Sequence, residues 1–160
     1  MNIKHLVLFV LVLYGYIFAW EDNIRFESFP PNKELEGKIV YKILQDHLGF
    51  IWIGTNDGLF KYDGYKLTAY KNDRLDSTSL GNNDVIPICE DSNGTLWFGT
   101  SGGGVNKYDR SEDKFIRIKH NPKNSNSINN DVIRLIFEDS LLKIKLIKQI
   151  NHFRRSKIII

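Results

Sequence analysis

Gln45–Leu59 reads QDHLGFIWIGTNDGL, and the same phrase returns at Glu90–Gly104 as EDSNGTLWFGTSGGG. A third copy begins at Asp131–Ser140, DVIRLIFEDS, and then lacks the Gly, the Trp and the Gly-Thr pair. A fixed period in this range is the signature of a repeat architecture. The five residues that recur 45 positions later are Asp46, Gly49, Trp52, Gly54 and Thr55, which return as Asp91, Gly94, Trp97, Gly99 and Thr100.

Each unit contains four short apolar or β-branched runs separated by polar turns. Four strands in a unit of this length are typical of a β-propeller blade. The sequence therefore predicts an all-β fold, a β-propeller fragment of about two four-stranded blades plus the first strand of a third. The runs are 39–44, 50–53, 59–62 and 66–70 in the first unit, and 85–89, 95–98, 105–108 and 114–118 in the second.

The amino terminus has the features of a signal peptide, which we place at residues 1–19. A short positive start precedes 13 apolar residues, Leu6–Phe18, and the small residue Ala19. As a helix this run rises about 20 Å, too little for a hydrocarbon core of about 30 Å. We expect export to the periplasm or the medium; a retained anchor is the alternative, and no later stretch suits a membrane span.

The rest of the chain divides by the repeats. Residues 20–38 are an N-terminal strand and linker, 39–83 are blade 1, 84–130 are blade 2, 131–140 begin a truncated blade 3, and 141–160 are a non-repeat basic tail. The strand at 24–29 either completes the last blade of a ring or pads the first unit.

The recurring residues have structural explanations. Asn93 and Gly94 predict a type I′ turn, and Asp46 and Asp91 stand where a carboxylate accepts hydrogen bonds from turn amides. Gly54 and Gly99, each followed by Thr, allow a neighbouring backbone to approach closely. Trp52 and Trp97 lie in apolar runs, so packing between blades is favoured over stacking on a sugar.

Several other residues receive no functional role. Cys89 is expected to be an inert buried thiol, and His47 and His120 to be solvated. The turn at 91–94 lacks the ligands of a calcium loop. We assign no catalytic, cofactor or metal residues. Residues 21–140 hold 15 basic and 19 acidic side chains, which gives no support to nucleic-acid binding.

The tail differs in composition from the repeats. Residues 141–160 hold six Lys or Arg and no acid, Gly, Tyr or Trp. A frameshift near codon 140 is the leading hypothesis, and an amphipathic helical segment is the alternative. Two blades and a fragment leave faces and strand edges uncovered, so we expect the isolated chain to be poorly soluble or partly unfolded.

At these residues the chain resembles the two-component regulator propeller repeats. The family phrase is matched over Val40–Asp63 and Val85–Asp109, and its closing Tyr-Asp pair is Tyr62 with Asp63 and Tyr108 with Asp109. The resemblance implies a non-catalytic periplasmic sensor region of a hybrid two-component histidine kinase, with an oligosaccharide ligand in the intact parent protein. Kinase and output domains are not present in these residues, so the chain would be an amino-terminal fragment.

Two alternatives come from other classes. The first is a small secreted binding protein that completes its propeller with other copies of the chain in place of the missing blades. The second is a fragment of a glycoside hydrolase propeller. The Asp box of sialidase-type propellers has one residue between Asp and Gly, whereas two separate Asp46 from Gly49 and Asp91 from Gly94, which disfavours the hydrolase.

Overall fold

A computed structural model describes residues 33–139, 141, 143–147 and 157–159. Apart from Lys33, these residues belong to one compact unit, Glu34–Ile160. The predicted signal peptide and the strand at 24–29 lie outside the described residues. Within the described residues, no helix is long and apolar enough to cross a membrane.

The first sheet follows a short 3-10 helix, Lys33–Leu35. Its strands pair antiparallel in chain order. Their apolar and β-branched content is what a half-buried pleated surface favours. The strands are β1 Val40–Gln45, β2 Ile51–Thr55, β3 Gly58–Tyr62 and β4 Leu67–Tyr70.

The second sheet repeats this arrangement and its register. Val40 pairs with Thr55 in the first sheet, and Val85 pairs with Thr100 in the second. All eight strands of the two sheets lie where the repeat predicts them, within about two residues at each end. The strands of the second sheet are β5 Val85–Glu90, β6 Leu96–Thr100, β7 Val105–Asp109 and β8 Lys114–Ile118.

The third sheet is larger than the sequence predicts. We expected one strand, but β9 Leu135–Glu138 pairs antiparallel with β10 Ile144–Ile147, which pairs with β11 Lys157–Ile159. A helical tail is therefore wrong for Ile144–Ile147, which form a strand. The described residues do not test a frameshift, which stays a prediction.

The core lies in layers between consecutive sheets. Trp52 and Leu59 of the first sheet pack with residues of the second that include Val85 and Phe98. Val105 of the second sheet packs with residues of the third that include Ile144. A smaller cluster of Ile53, Phe60 and Leu67 covers the opposite face of the first sheet. This layered stacking of antiparallel sheets is that of propeller blades, as predicted.

Candidate functional site

The Asp-x-x-Gly turn is held by a single carboxylate oxygen. Oδ1 of Asp46 accepts hydrogen bonds from the amides of Leu48 and Phe50, at 3.1 and 2.9 Å. The Gly49 amide donates to the Asp46 carbonyl at 2.9 Å, and Gly49 has a positive φ of 88°. An Asp at the first position and a left-handed Gly at the fourth fit a type I turn with a glycine bulge.

The second copy has the same geometry and corrects one expectation. Oδ1 of Asp91 accepts from the amides of Asn93 and Thr95, at 3.0 and 2.8 Å. Gly94 has a φ of 77°, but Asn93 is not among the residues with positive φ. A type I′ turn needs positive φ at both central positions, so the predicted type is wrong. The Asp91 carboxylate instead holds this turn in the same form as the turn at Asp46.

The second oxygen of each Asp binds the recurring Trp. The Trp52 indole donates from Nε1 to Asp46 Oδ2 at 2.9 Å, and Trp97 donates to Asp91 Oδ2 at 2.8 Å. Trp52 is fully buried beside Phe98 and Tyr108, with ring centroids 5.1 and 4.9 Å away. The structure therefore places these Trp side chains between sheets.

The Gly-Thr pairs lie where one sheet meets the next. A Cβ on Gly54 would stand 2.7 Å from the carbonyl oxygen of Val85, so a larger residue would push the second sheet away. The hydroxyl of Thr55 donates to the Gly58 carbonyl at 2.8 Å. Gly99 is crowded by the side chains of Pro87 in β5 and of Ile133, which lies just before β9, and Thr100 donates to the Gly104 carbonyl at 3.0 Å.

The Tyr-Asp pairs close the third strand of each sheet. Asp63 Oδ1 accepts from the amides of Tyr65 and Lys66, at 2.9 and 2.7 Å. Asp109 Oδ1 accepts from the amide and the hydroxyl of Ser111, at 3.0 and 2.7 Å. Both carboxylates thus shape the turn that follows.

The two tyrosines of this position differ in their partners. Tyr62 donates to the Gly64 carbonyl at 2.6 Å. Tyr108 shares Asp113 Oδ1 with Tyr70 of the first sheet, at 2.5 and 2.7 Å. Burial and the Asp113 carboxylate raise the pKa of Tyr108 to about 12 and raise the pKa of Tyr70 as well. The Tyr108 position therefore joins two sheets.

A polar cluster that the repeat does not reveal joins the first two sheets. Arg110 donates to Asp46 Oδ2 at 2.9 Å and to Glu90 Oε1 at 3.1 Å. Glu90 also accepts from the His47 amide at 3.0 Å and contacts His47 Nδ1 at 2.5 Å. Burial alone would raise the pKa of Asp46, but the hydrogen bonds from Trp52 and Arg110 outweigh it and lower that pKa.

The histidines are consequently not simply solvated, as the sequence suggested. His47 has a half-exposed side chain, but its ring is bound to Glu90 across the sheet boundary. The ring of His120 hydrogen-bonds through Nδ1 to the Ile128 carbonyl at 2.7 Å. Cys89 is half-buried, and burial raises the pKa of its thiol.

The contact between turn and glutamate recurs at the next boundary. Ser92, the counterpart of His47, donates its amide and its hydroxyl to the Glu138 carboxylate, both at 2.9 Å. A Glu directly before the Asp, at Glu90 and Glu138, is the signal that could have found these contacts. The first sheet has Gln45 there, and its side chain donates to the Gly49 carbonyl at 3.3 Å.

The third copy keeps the turn while changing the Trp. Asp139 Oδ1 accepts from the amides of Leu141 and Lys143, both at 3.0 Å, as Asp46 and Asp91 do in their turns. Lys145 takes the place of the Trp and pairs with Asp139 Oδ2 at 2.6 Å. An ion pair thus replaces the indole hydrogen bond.

No group of three His, Cys, Asp or Glu able to hold a metal ion occurs among residues 33–139 or the described tail residues. The recurring residues of the phrase contact one another, the turns and the neighbouring sheets. Their hydrogen bonds are those of a scaffold, so a ligand surface has to be sought among residues that differ between repeats.

Residues 34–57 and 79–102 match the family described as "Two component regulator propeller". Over 81 residues the chain is 36% identical to Histidine kinase P4 of Formosa agariphila, covering 48% of this chain and 6% of that protein. The chain therefore spans a small part of its relative.

Two solved structures share the fold. The extracellular domain of a putative hybrid two component system from B. thetaiotaomicron has a TM-score of 0.58 at 26% identity, over 87% of this chain and 19% of that one. Virginiamycin B lyase from Staphylococcus aureus has a TM-score of 0.50 at 16% identity, over 68% of this chain and 34% of the lyase. The likeness to the lyase concerns the fold alone.

Proposed function

We propose that this chain, two segments of which match the two-component regulator propeller family, is part of the ligand-sensing propeller of an exported two-component sensor. The observation that supports this most directly is the likeness to an extracellular domain of a hybrid two component system along 87% of the chain. In this proposal the region is non-catalytic and its ligand is an oligosaccharide. Residues 1–19 direct export and are removed.

The roles of the recurring side chains support a binding region rather than an enzyme. The carboxylates of Asp46, Asp91 and Asp139 are each engaged by turn amides and by a side chain of the following strand. Glycoside hydrolysis would need two carboxyl groups facing a bond between them. These carboxylates instead stabilise turns.

The alternative, a ring closed by other copies of the chain, is favoured by one feature and opposed by another. Ile39, Val40 and Ile43 of the first sheet are 57%, 44% and 59% exposed, so this face has room for a covering partner. In a head-to-tail ring, the face of the third sheet that carries Lys145 would cover the first sheet of the next copy. Lys145 occupies the position at which Trp52 and Trp97 pack against the next sheet. A ring contact at this face would therefore bury the ion pair of Lys145 with Asp139 instead of an indole.

Binding and mass measurements test both proposals on the full chain, exported and purified. We expect thermal stabilisation and saturable calorimetric binding with a member of a panel of neutral oligosaccharides. Light scattering after gel filtration should give a molar mass that does not correspond to a closed ring of several copies of the chain. Failure of every oligosaccharide to bind would overturn the sensing proposal, and a single closed oligomer would favour the alternative.

A further inference from the structure

The first strand of each sheet carries an equivalent pair of aliphatic residues, and the three pairs differ in whether a sheet covers them. The members of successive pairs are 45 and 48 residues apart. The pairs and their exposed fractions are Val40 44% with Ile43 59%, Val85 0% with Ile88 4%, and Ile133 3% with Ile136 5%. Two pairs therefore lie inside a boundary between sheets, and the pair of the first sheet lies open.

The covered pairs show what a covering sheet has to supply. A Cβ on Gly54 would stand 2.7 Å from the carbonyl oxygen of Val85, and a Cβ on Gly99 would stand 2.7 Å from Cγ2 of Ile133. Glycine permits this close approach, whereas any other residue would push the two sheets apart. Trp52 lies in the same buried cluster as Val85. A glycine and an indole of the preceding sheet thus make the contact.

A polar contact completes each covered boundary. The amide of His47 donates to Glu90 at 3.0 Å, and the amide of Ser92 donates to Glu138 at 2.9 Å. Gln45 holds the position of these glutamates in the first sheet. Its carboxamide oxygen is also a hydrogen-bond acceptor, so the first sheet keeps a group that can accept from the turn amide of a preceding sheet.

The open pair lies on the strand that such a contact uses. β5 packs against β1 and β2 of the preceding sheet, so the first strand of a sheet is where its neighbour meets it. Leu35 already packs on the cluster that includes Ile53 and Phe60, farther across the same face of the first sheet. Val40 and Ile43, which we call the open strip, are therefore the part of this face that remains for a partner.

The third sheet of a second copy does not have the features that the open strip needs. Lys145 takes the register position of Trp52. Ile147 takes the register position of Gly54. A second copy that approached with its third sheet would bring a charged residue to the place of the indole, and a residue with a Cβ to the place of the glycine.

We propose that the open strip is the docking site for a further sheet of the same repeat, supplied by another polypeptide. The docking sheet places a glycine against the backbone at Val40, an indole against Ile43, and a turn amide against Gln45. An apolar surface with one polar acceptor at its edge matches such a sheet. This interaction is independent of whether the chain binds an oligosaccharide.

The test gives the third sheet of the full chain the two features that it needs for docking. In the double variant Lys145→Trp with Ile147→Gly, each copy carries a sheet that should fit the open strip of the next copy, in a head-to-tail contact. Ile43→Lys added to the double variant removes the strip. Ile116→Lys is the matched control, since Ile116 is 53% exposed on β8. Analytical ultracentrifugation measures self-association, and circular dichroism with melting temperature establishes that each variant is folded.

We expect the double variant to self-associate at least about tenfold more tightly than the unchanged chain. Adding Ile43→Lys should return the association to that of the unchanged chain, whereas Ile116→Lys should leave it within about twofold. Should the double variant fail to fold, Ile147→Gly alone decides the test.

Two results overturn the proposal at the level of the surface. One is a double variant that associates no more tightly than the unchanged chain, and the other is a gain in association that Ile43→Lys leaves in place. Tight association of the unchanged chain that Ile43→Lys abolishes would make a second copy the occupant and overturn the proposed partner. Failure to bind any oligosaccharide bears on the sensing proposal alone.

Discussion

Asp46 accepts hydrogen bonds from four groups with its two carboxylate oxygens. Its Oδ1 holds the turn, and its Oδ2 accepts from the Trp52 indole and from Arg110. Among the described residues, no arginine pairs with Asp91, which is also less buried, although its turn and its Trp contact are the same. The two residues therefore form a matched pair that separates the contribution of the turn from that of the cluster between sheets.

We predict that Asp46→Asn lowers the free energy of unfolding by about 1–3 kcal/mol, and Asp91→Asn by less. In Asp46→Asn, the side-chain NH2 group would face N–H donors that the carboxylate now accepts from. The negative charge that pairs with Arg110 would also be lost. Because the pKa of Asp46 is lowered in the folded state, the ionised form stabilises the fold above about pH 4, and this contribution is lost as pH falls further.

Urea titrations between about pH 3 and pH 7 measure this difference. The gap between the unchanged chain and Asp46→Asn should narrow as pH falls below about 4. If both substitutions lowered the free energy of unfolding equally at neutral pH, then Arg110 and the contacts between the sheets would add nothing to the stability that the turn provides.

The elements of the first two sheets could be predicted nearly strand for strand, since apolar runs and Gly-rich turns are local signals. The third sheet could not, because Lys145 stands where Trp52 and Trp97 mark the second strand. What persists there is Asp139, which makes the turn. The contacts of Arg110 with Asp46 and Glu90 were also missed, since ion pairs between distant positions leave no periodic pattern.

We predict that Asp139→Ala frees the turn between β9 and β10. The substitution removes the acceptor for the amides of Leu141 and Lys143 and the partner of Lys145. Amide exchange over residues 141–147 should become faster, because opening of that turn no longer breaks these hydrogen bonds. Hydrogen exchange with mass spectrometry measures it.

The turns at Asp46 and Asp91 provide the internal control for this variant, and their exchange should not change. If residues 141–147 already exchange as fast as an open chain before substitution, then β10 is not a stable strand in solution. Unchanged slow exchange after substitution would mean that the packing of Ile144 and Leu146 alone holds the strand.

At the scale of the whole molecule, the first two sheets differ in whether a neighbouring sheet covers the face that carries an isoleucine of the first strand. Ile43 and Ile88 occupy the same position, since Ile43 pairs with Ile53 and Ile88 pairs with Phe98, its counterpart. Ile88 is 4% exposed and lies against Gly54 of the preceding sheet, whereas Ile43 is 59% exposed. One side chain thus stabilises a boundary between sheets, and the other contributes an apolar surface.

We predict opposite outcomes for the same substitution at these two positions. Ile88→Lys buries an unpaired ammonium group between two sheets and should unfold the chain or cost more than about 3 kcal/mol. Ile43→Lys should change the free energy of unfolding by less than about 0.5 kcal/mol and reduce self-association, because it places a charge on an exposed apolar face. Urea unfolding and light scattering at several concentrations measure both effects. A cost for Ile43→Lys equal to that of Ile88→Lys would show that the face of the first sheet that carries Ile43 is covered in solution.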